Sequence, residues 1–130
     1  DINLAKQLNV VTTQLGVNAD SIVMNVGSAA VGYGYEYVVS TLDRIKAAAL
    51  SQDDKMLQMP IITPIASETW TVKEAMATEE ESPEWGSQEV RGVSMEIQTA
   101  AASLASGSDA VILKHPQSVA TISKMIRELM

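Results

Sequence analysis

The chain has 130 residues, of which 46% are hydrophobic, and lacks both Cys and Phe, so it can form one modest core from aliphatic side chains and Met. The absence of Cys excludes disulfides, thiolate zinc sites and cysteine-ligated iron-sulfur clusters within the chain, and a single His excludes a multi-histidine metal site. A net charge of −7 without any cluster of Lys and Arg disfavours nucleic-acid binding.

Two further observations bear on location. No apolar run reaches the roughly 20 residues that a membrane-spanning helix needs, which disfavours membrane insertion. The first residues, Asp1 to Leu4, lack a Met, a basic segment and the apolar core of a signal peptide. We therefore expect a cytoplasmic protein, and we expect Asp1 to lie inside a longer chain.

The first part of the chain is predicted to form helix, strand and helix in that order. Residues 2–15 carry apolar side chains at helical spacing and end before Gly16, which favours an amphipathic helix. Its apolar face is formed by Ile2, Leu4, Leu8, Val11 and Leu15. Residues 21–26 form a nearly continuous apolar run that is typical of a strand buried on both faces. After a glycine-rich turn, residues 35–50 again show helical spacing, with the apolar positions Tyr35, Val38, Val39, Leu42, Ile45 and Ala49.

The middle of the chain is predicted to form a short strand, a helix and an acidic loop. The strand lies within residues 59–66 and is confined to a few residues, because Pro60 and Pro64 cannot donate to a sheet ladder. A helix is expected over residues 69–77, followed by an irregular acidic stretch over residues 79–86.

The last part is predicted to form helix, strand and helix. Residues 88–106 form a helix that Gly107 ends, residues 109–115 form a third buried strand, and Pro116 suits the first turn of the last helix. The predicted inner faces are Val90, Val93, Ile97, Ala101 and Leu104 on the first helix and Val119, Ile122, Ile126 and Leu129 on the last.

The element order αβαβαβα predicts an α/β fold of parallel strands joined by right-handed crossovers. Three βα units are too few to close a barrel, which needs eight units over about 250 residues. An apolar edge strand would also be left bare. We therefore expect residues 1–130 to be one portion of a larger domain.

Several motifs, in order along essentially the whole chain, resemble one known family. They are Asp1 to Asn9, Gly32 to Tyr37, Asp43 to Ile45, Met56 to Pro60, Trp70 to Ala75, Pro83 to Gly86, Arg91 to Val93 and Lys114 to Pro116. The family is the small subunit of the corrinoid iron-sulfur protein, called the delta subunit in the archaeal acetyl-CoA decarbonylase/synthase complex.

The resemblance implies that residues 1–130 form the carboxy-terminal portion of a TIM (βα)8 barrel. It also implies a heterodimer with a large corrinoid iron-sulfur subunit, which carries the iron-sulfur cluster and most contacts to a shared cobalamin. The small subunit then covers the cobalamin that carries a methyl group from methyl-tetrahydropterin, through a methyltransferase, to acetyl-CoA synthase. This transfer belongs to the reductive acetyl-CoA (Wood-Ljungdahl) pathway or its reverse, and the chain itself would perform no bond chemistry.

The candidate site is the edge at which the strands end, because βα barrels bind ligands in the loops that follow the carboxyl ends of their strands. These loops are residues 25–35, 63–70 and 114–117. Together with the resemblance, they give the candidate cofactor-binding residues Asn25, Gly27, Ser28, Gly32, Tyr33, Gly34, Thr63, Trp70 and His115.

The glycine-rich loop is the sharpest of these candidates. Gly27, Gly32 and Gly34 let the backbone approach a ligand closely, and Tyr33 could lie against a flat macrocycle. A compact βα turn that needs glycine would leave the same pattern. The match to a dinucleotide fingerprint is weak, because the third glycine is missing.

Trp70 and His115 each have a structural alternative. Trp70 could stack on a ligand or anchor its own loop. The imidazole of His115 invites acid–base chemistry, but the following Pro116 favours a hydrogen bond to the backbone at the helix start.

Glu84 and Trp85 are candidate partner-binding residues. Trp85 lies in the acidic loop and suits a docking hot spot, although a tryptophan tucked over the barrel rim is the alternative.

The enzymatic alternative is a pterin-binding methyltransferase of TIM-barrel fold. Its site would need convergent polar side chains from several strand ends, and Asn25 is the one clear example here. A generic parallel α/β domain with no retained role is a third hypothesis.

Overall fold

Three short extended segments lie side by side in the computed structural model, which describes residues 1–32 and 34–129. Strand β1 (Ile62–Pro64) pairs in parallel with β2 (Ala110–Ile112). On the other side of β1, Met24 forms a parallel bridge, with its N–H 2.7 Å from the Pro60 carbonyl and its carbonyl 2.9 Å from the Ile62 N–H. The predicted parallel arrangement is therefore confirmed, and the loops that follow the three segments begin at one edge.

Helices make up most of the α/β fold. The α-helices described are α1 (Ile2–Gln14), α2 (Tyr35–Ser51), α3 (Ile65–Thr69), α4 (Lys73–Met76), α5 (Gln88–Ala105) and α6 (Pro116–Leu129). Short 3₁₀ turns occupy Ala19–Ser21, Ala29–Gly32, Lys55–Leu57 and Pro83–Trp85. The predicted helices at residues 2–15, 35–50, 88–106 and from Pro116 are confirmed, most within one residue at each end. Within the described ranges, none of the helices combines the length and apolar character of one that crosses a membrane.

Two predicted strands are shorter than expected. The strand predicted at residues 21–26 is reduced to the Met24 bridge, because side-chain turns flank it. Asn18 accepts from the Asp20 N–H at 3.0 Å on one side, and Asn25 accepts from the Gly27 N–H at 3.1 Å on the other. The third strand is not buried on both faces as predicted, since β2 lies at the edge of the sheet and exposes Ile112.

The helix predicted at residues 69–77 is wrong. The chain forms α3 immediately after β1 and then the separate α4, with a break at Trp70 to Val72. At the break, the Thr71 hydroxyl donates to the Ser67 carbonyl at 3.0 Å, and Val72 is extended with φ −75° and ψ 154°. Side-chain hydrogen bonding by Thr and an extended β-branched residue both end a helix, so Trp70 is left on a turn.

The main apolar core lies between α2, the Met24 segment and the start of β1. Its buried members are Met24, Val31, Val38, Leu42, Ile45, Ala48, Ala49, Leu57, Met59 and Ile61. Helix α2 contributes the face that its sequence predicts, with Leu42 and Ile45 fully buried.

Helix α1 presents the other face to this core. Ile2 and Ala5 pack against it, and Asn9 is buried, where its amide donates to the Met56 carbonyl at 2.7 Å. The predicted apolar face is therefore right at Ile2 and wrong at its other members, because Leu4, Leu8, Val11 and Leu15 are all exposed, Leu15 by 80%. The Asn9 hydrogen bond and a 2.6 Å ion pair from Lys6 to Asp54 fix this rotation of the helix.

A second, smaller apolar cluster joins α3, α5 and α6 through Ile65, Ala100 and Ile122. The predicted inner face of α5 is right at Val93 and wrong at Val90, which is 63% exposed. On α6 only Ile122 of the predicted face is buried, and its exposed members are Val119, Ile126 and Leu129. Polar side chains fill much of this second interior: Thr63, Thr69, Glu96, Ser103, Ser108 and Ser118 are buried.

Candidate functional site

Trp70 and His115 meet at the carboxyl edge of the sheet. Trp70 follows α3, and His115 follows β2. Their ring centroids are 6.0 Å apart and their planes are inclined by 15°, a stacked arrangement. The two predicted site residues come together because parallel neighbouring strands deliver their following loops to one edge.

A buried carboxylate on α5 holds this aromatic pair in place. Glu96 is fully buried and accepts from the Trp70 indole N–H at 2.9 Å. It also accepts from the backbone N–H of Lys114 at 2.8 Å and of His115 at 3.1 Å. One side chain therefore ties the loop after β1 to the loop after β2 at the start of α6.

Hydrogen bonds keep Glu96 ionised although no cation pairs with it among the described residues. Burial raises its pKa, but the Ser118 hydroxyl, the Lys114 and His115 N–H groups and the Trp70 indole lower it, and the net direction is downward. The buried Ser118 hydroxyl has no hydrogen-bond partner within the described part of the chain. The partial positive charge at the start of α6 adds to the same effect.

Both ring nitrogens of His115 are engaged. Its Nδ1 accepts from the Gln117 N–H at 3.1 Å, so Nε2 carries the proton and donates to the Glu89 carboxylate at 2.8 Å. His115 thus caps the first turn of α6, as the structural alternative predicts, and leaves no ring nitrogen for a metal.

Trp70 lies in a closely fitted position. The indole packs over Gly92 of α5, where an added Cβ would meet the Trp70 Cζ3 at 2.2 Å. The Lys114 ammonium lies 5.6 Å from the ring centroid, a cation–π contact. A cavity of about 390 Å³ opens beside the ring and is lined by Trp70, Gln88, Glu89, Lys114, His115 and Pro116.

The site combines a rigid aromatic surface, the exposed Lys114 ammonium, the exposed Glu89 carboxylate and the inaccessible Glu96 carboxylate. In the part of the chain that the structure describes, no group of three or more His, Cys, Asp or Glu is placed to hold a metal ion. The arrangement can bind and orient a flat or anionic group.

A family model described as CO dehydrogenase/acetyl-CoA synthase delta subunit matches residues 1–126. The chain belongs to this family. The resemblance seen in the sequence motifs is thereby confirmed at the level of the family.

Individual members of this family are similar to the chain over nearly its whole length. The chain is 34% identical over 135 residues to acetyl-CoA decarbonylase/synthase complex subunit delta 2 of Methanosarcina acetivorans, covering 99% of this chain and 30% of the relative. It is 33% identical over 133 residues to the delta subunit of Archaeoglobus fulgidus, covering 99% and 29%. It is 36% identical over 122 residues to that of Methanopyrus kandleri, covering 94% and 29%. The chain spans about three-tenths of the length of these relatives.

In this delta-subunit chain the glycine-rich loop forms a tight turn beside α3. Asn25 uses its side chain in the turn, Gly27 has φ +88°, and Ser28 is buried. The remaining loop candidates divide as follows: Gly32 ends the 3₁₀ turn, Gly34 caps α2, and Tyr33 lies outside the described residues. Whether this loop touches a cofactor stays a prediction.

The other predicted residues lie apart from the aromatic pair. Thr63 is buried and shares a 2.7 Å hydrogen bond with Ser108, so its hydroxyl faces the interior. Glu84 and Trp85 lie in a 3₁₀ turn before α5, where Trp85 is 39% exposed and the Arg91 guanidinium lies 5.7 Å from its ring.

Four residues of the site were not among the sequence-based candidates: Glu89, Gly92, Glu96 and Lys114. Glu96 did leave a signal, because it lies three residues after Val93 and four before Ala100, on the buried stripe of α5. A carboxylate on an inner helix face is unusual, and it marks a polar centre inside the fold.

Proposed function

We propose that this chain belongs to the small subunit of a corrinoid iron-sulfur protein and covers the cobalamin that it shares with a large subunit. In this role the chain positions the cobalamin between a methyltransferase and acetyl-CoA synthase. The observation that carries the proposal is the stacked pair of Trp70 and His115, held at the carboxyl edge by buried Glu96.

The chemistry of the pair suits a covering role. A flat aromatic surface lies favourably against a flat macrocycle, and the Lys114 ammonium suits its amide oxygens or the phosphate of its tail. Since Glu96 and Gly92 leave Trp70 little freedom, little ordering is needed on binding. Excluding water from one side of the cofactor requires such a rigid surface and no general base.

The residues fit one edge of a corrinoid and not an enclosing site. The cavity of about 390 Å³ is open and much smaller than a corrin ring with its amide side chains. The cobalt of a bound corrinoid would supply the methyl-carrying chemistry. His115 would cover it without ligating, since both of its nitrogens are engaged.

We also propose that residues 1–130 are the last βα units of a TIM barrel. The support is the parallel order of the three extended segments, with the loops after them at one edge. The large corrinoid iron-sulfur subunit, the methyltransferase and acetyl-CoA synthase are the partners proposed. A cytoplasmic location stays a prediction.

The test is co-expression of the chain with the corrinoid-bearing large subunit from the same genome. Trp70→Ala should weaken the complex about tenfold and speed air oxidation of the reduced corrinoid, followed by its absorbance. Trp70→Phe keeps a flat ring and should retain most of the protection. Leu50→Ala, which removes an 80% exposed side chain on α2, is the control and should change neither reading.

Two outcomes would contradict the proposal. One is a complex and oxidation rate that Trp70→Ala leaves unchanged. The other is tight binding of a methylated pterin by the chain alone, which would favour the methyltransferase alternative.

A further inference from the structure

A second surface, separate from the aromatic pair, runs along the outer side of α5. This α5 groove has a volume of about 850 Å³ and mostly apolar walls, and its principal lining residues are Trp85, Val90, Arg91, Ser94, Met95 and Gln98. From Ser87 to Gln98 it follows about three helical turns, or about 16 Å at 1.5 Å per residue. An open channel of that length fits a polypeptide segment.

The groove is preformed. The Arg91 guanidinium donates to the carbonyls of Glu74, Ala77 and Gly86, the second of these at 2.7 Å. It thereby ties α4 and the turn before α5 to one point. The terminal N–H groups of Arg91 therefore face backbone carbonyl oxygens. Its Nε has no hydrogen-bond partner in the described part of the chain.

The apolar floor is exposed where a partner could reach it. Val90 is 63% exposed and Trp85 is 39% exposed on one continuous face. Large apolar side chains in a concave site, with an aromatic at one end, are typical of protein docking surfaces.

The charge around the groove selects its occupant. Residues 73–91 contain six acidic side chains and two basic ones, a net charge of −4 out of −7 for the whole chain. The Glu79 carboxylate accepts from the Gln88 N–H at the start of α5, and the Glu81 carboxylate accepts from the Thr78 N–H. Among the described residues Glu74, Glu80 and Glu84 have no ion-pair partner. Of these three, Glu74 lines the groove and Glu84 is the chain neighbour of its lining residue Trp85, so two carboxylates without an ion-pair partner stand beside an apolar channel.

We propose that the α5 groove docks a partner protein through a segment with large apolar side chains flanked by Lys or Arg. Apolar anchors enter the channel between Trp85 and Met95, and the basic residues face Glu74 and Glu84. The inference stands whether or not the aromatic pair covers a corrinoid, because it rests on a different face of α5.

The probe is a labelled helical peptide with Leu anchors at every third or fourth position and Lys between them, followed by fluorescence anisotropy. Val90→Asp should weaken its binding about tenfold. The double variant Glu74→Lys/Glu84→Lys should weaken it severalfold and flatten its salt dependence. Val119→Asp on exposed α6 is the matched control and should have no effect. Far-UV circular dichroism checks that every variant is folded.

Each other outcome overturns the proposal. Equal binding of a peptide with Glu in place of Lys would remove the charge argument. Absence of binding at low salt, or equal weakening by Val119→Asp, would show that the α5 groove is not the binding site of the peptide. A chain that self-associates until Val90→Asp is introduced would show that the occupant is a second copy.

Discussion

The two halves of this chain are filled by different kinds of side chain. The core between α2 and the Met24 segment is aliphatic, with Leu42, Ile45 and Ile61 fully buried. The interior between α5 and α6 has few apolar members and instead encloses Glu96 and several hydroxyl groups. The first half is stabilised mainly by burial of apolar area, whereas the second also depends on hydrogen bonds made by Glu96 and between Thr63 and Ser108.

The difference follows what each half positions. Aliphatic packing is non-directional, so it holds α2 against the sheet without fixing a side chain at the edge. Hydrogen bonds are directional, and those to Glu96 fix Trp70 and the start of α6 relative to each other. The polar half is therefore the one that can present a rigid binding surface.

The largest effect should come from the aliphatic half. Leu42→Ala should destabilise the chain by about 3 kcal/mol, through lost burial and the cavity left behind. Chemical denaturation measures the loss. Val119→Ala removes apolar atoms from an exposed site and should cost well under about 1 kcal/mol. Equal losses would mean that the first half has no true core.

Glu96→Gln should cost about 2 kcal/mol, because a neutral amide has one acceptor oxygen for three donors and loses the charge-assisted bonds. The variant should also change the acid response. Since the folded-state pKa of Glu96 is lowered, its contribution is complete above the unfolded value, about 4.3, and is lost as pH falls through the folded value. Denaturation between about pH 5 and 3 should therefore show a shallower slope for Glu96→Gln. An unchanged slope would mean that the carboxylate is not ionised in the folded chain.

Helix α2 and the aromatic pair could be predicted from sequence, and α1 shows why more could not. Periodicity identifies an apolar stripe but not what covers it, so the face of α1 was wrong although its length was right. Helix α2 has a single apolar face next to the sheet, so its pattern and its burial agree.

The site divides in the same way. Trp70 and His115 could be predicted, because strand order and parallel pairing place both at one edge. The role of Glu96 could not be predicted from the sequence, because a glutamate on a helix is ordinarily exposed to solvent. Its burial here depends on tertiary contacts that the sequence pattern does not reveal. The break at Thr71 depends on side-chain hydrogen bonds that periodicity does not register.

Gly92→Ala tests the contact between α5 and Trp70, and we expect it to have a smaller effect on stability. Alanine favours a helix by up to about 1 kcal/mol over glycine, but its Cβ would overlap the Trp70 ring, and such overpacking costs about 1–3 kcal/mol. We expect a net loss near 1 kcal/mol and a changed near-UV signal as Trp70 moves. Ser94→Ala, on the exposed side of the same helix, should be neutral or slightly stabilising. A stabilised Gly92→Ala chain would show that Trp70 does not pack there.

The smallest effect is expected for Glu89→Gln, the same chemical change as Glu96→Gln made on the solvent side of α5. The Glu89 side chain is 73% exposed and accepts one hydrogen bond from the His115 Nε2–H. The side-chain oxygen of a glutamine can accept the same hydrogen bond. Exposed pairs of this kind contribute about 0.5 kcal/mol or less, so stability should hardly change. A loss of stability as large as that of Glu96→Gln would mean that the Glu89–His115 pair stabilises this half of the chain as much as Glu96 does. If the two variants differ as expected, burial and the number of donors, not carboxylate chemistry alone, account for the rigidity of the edge.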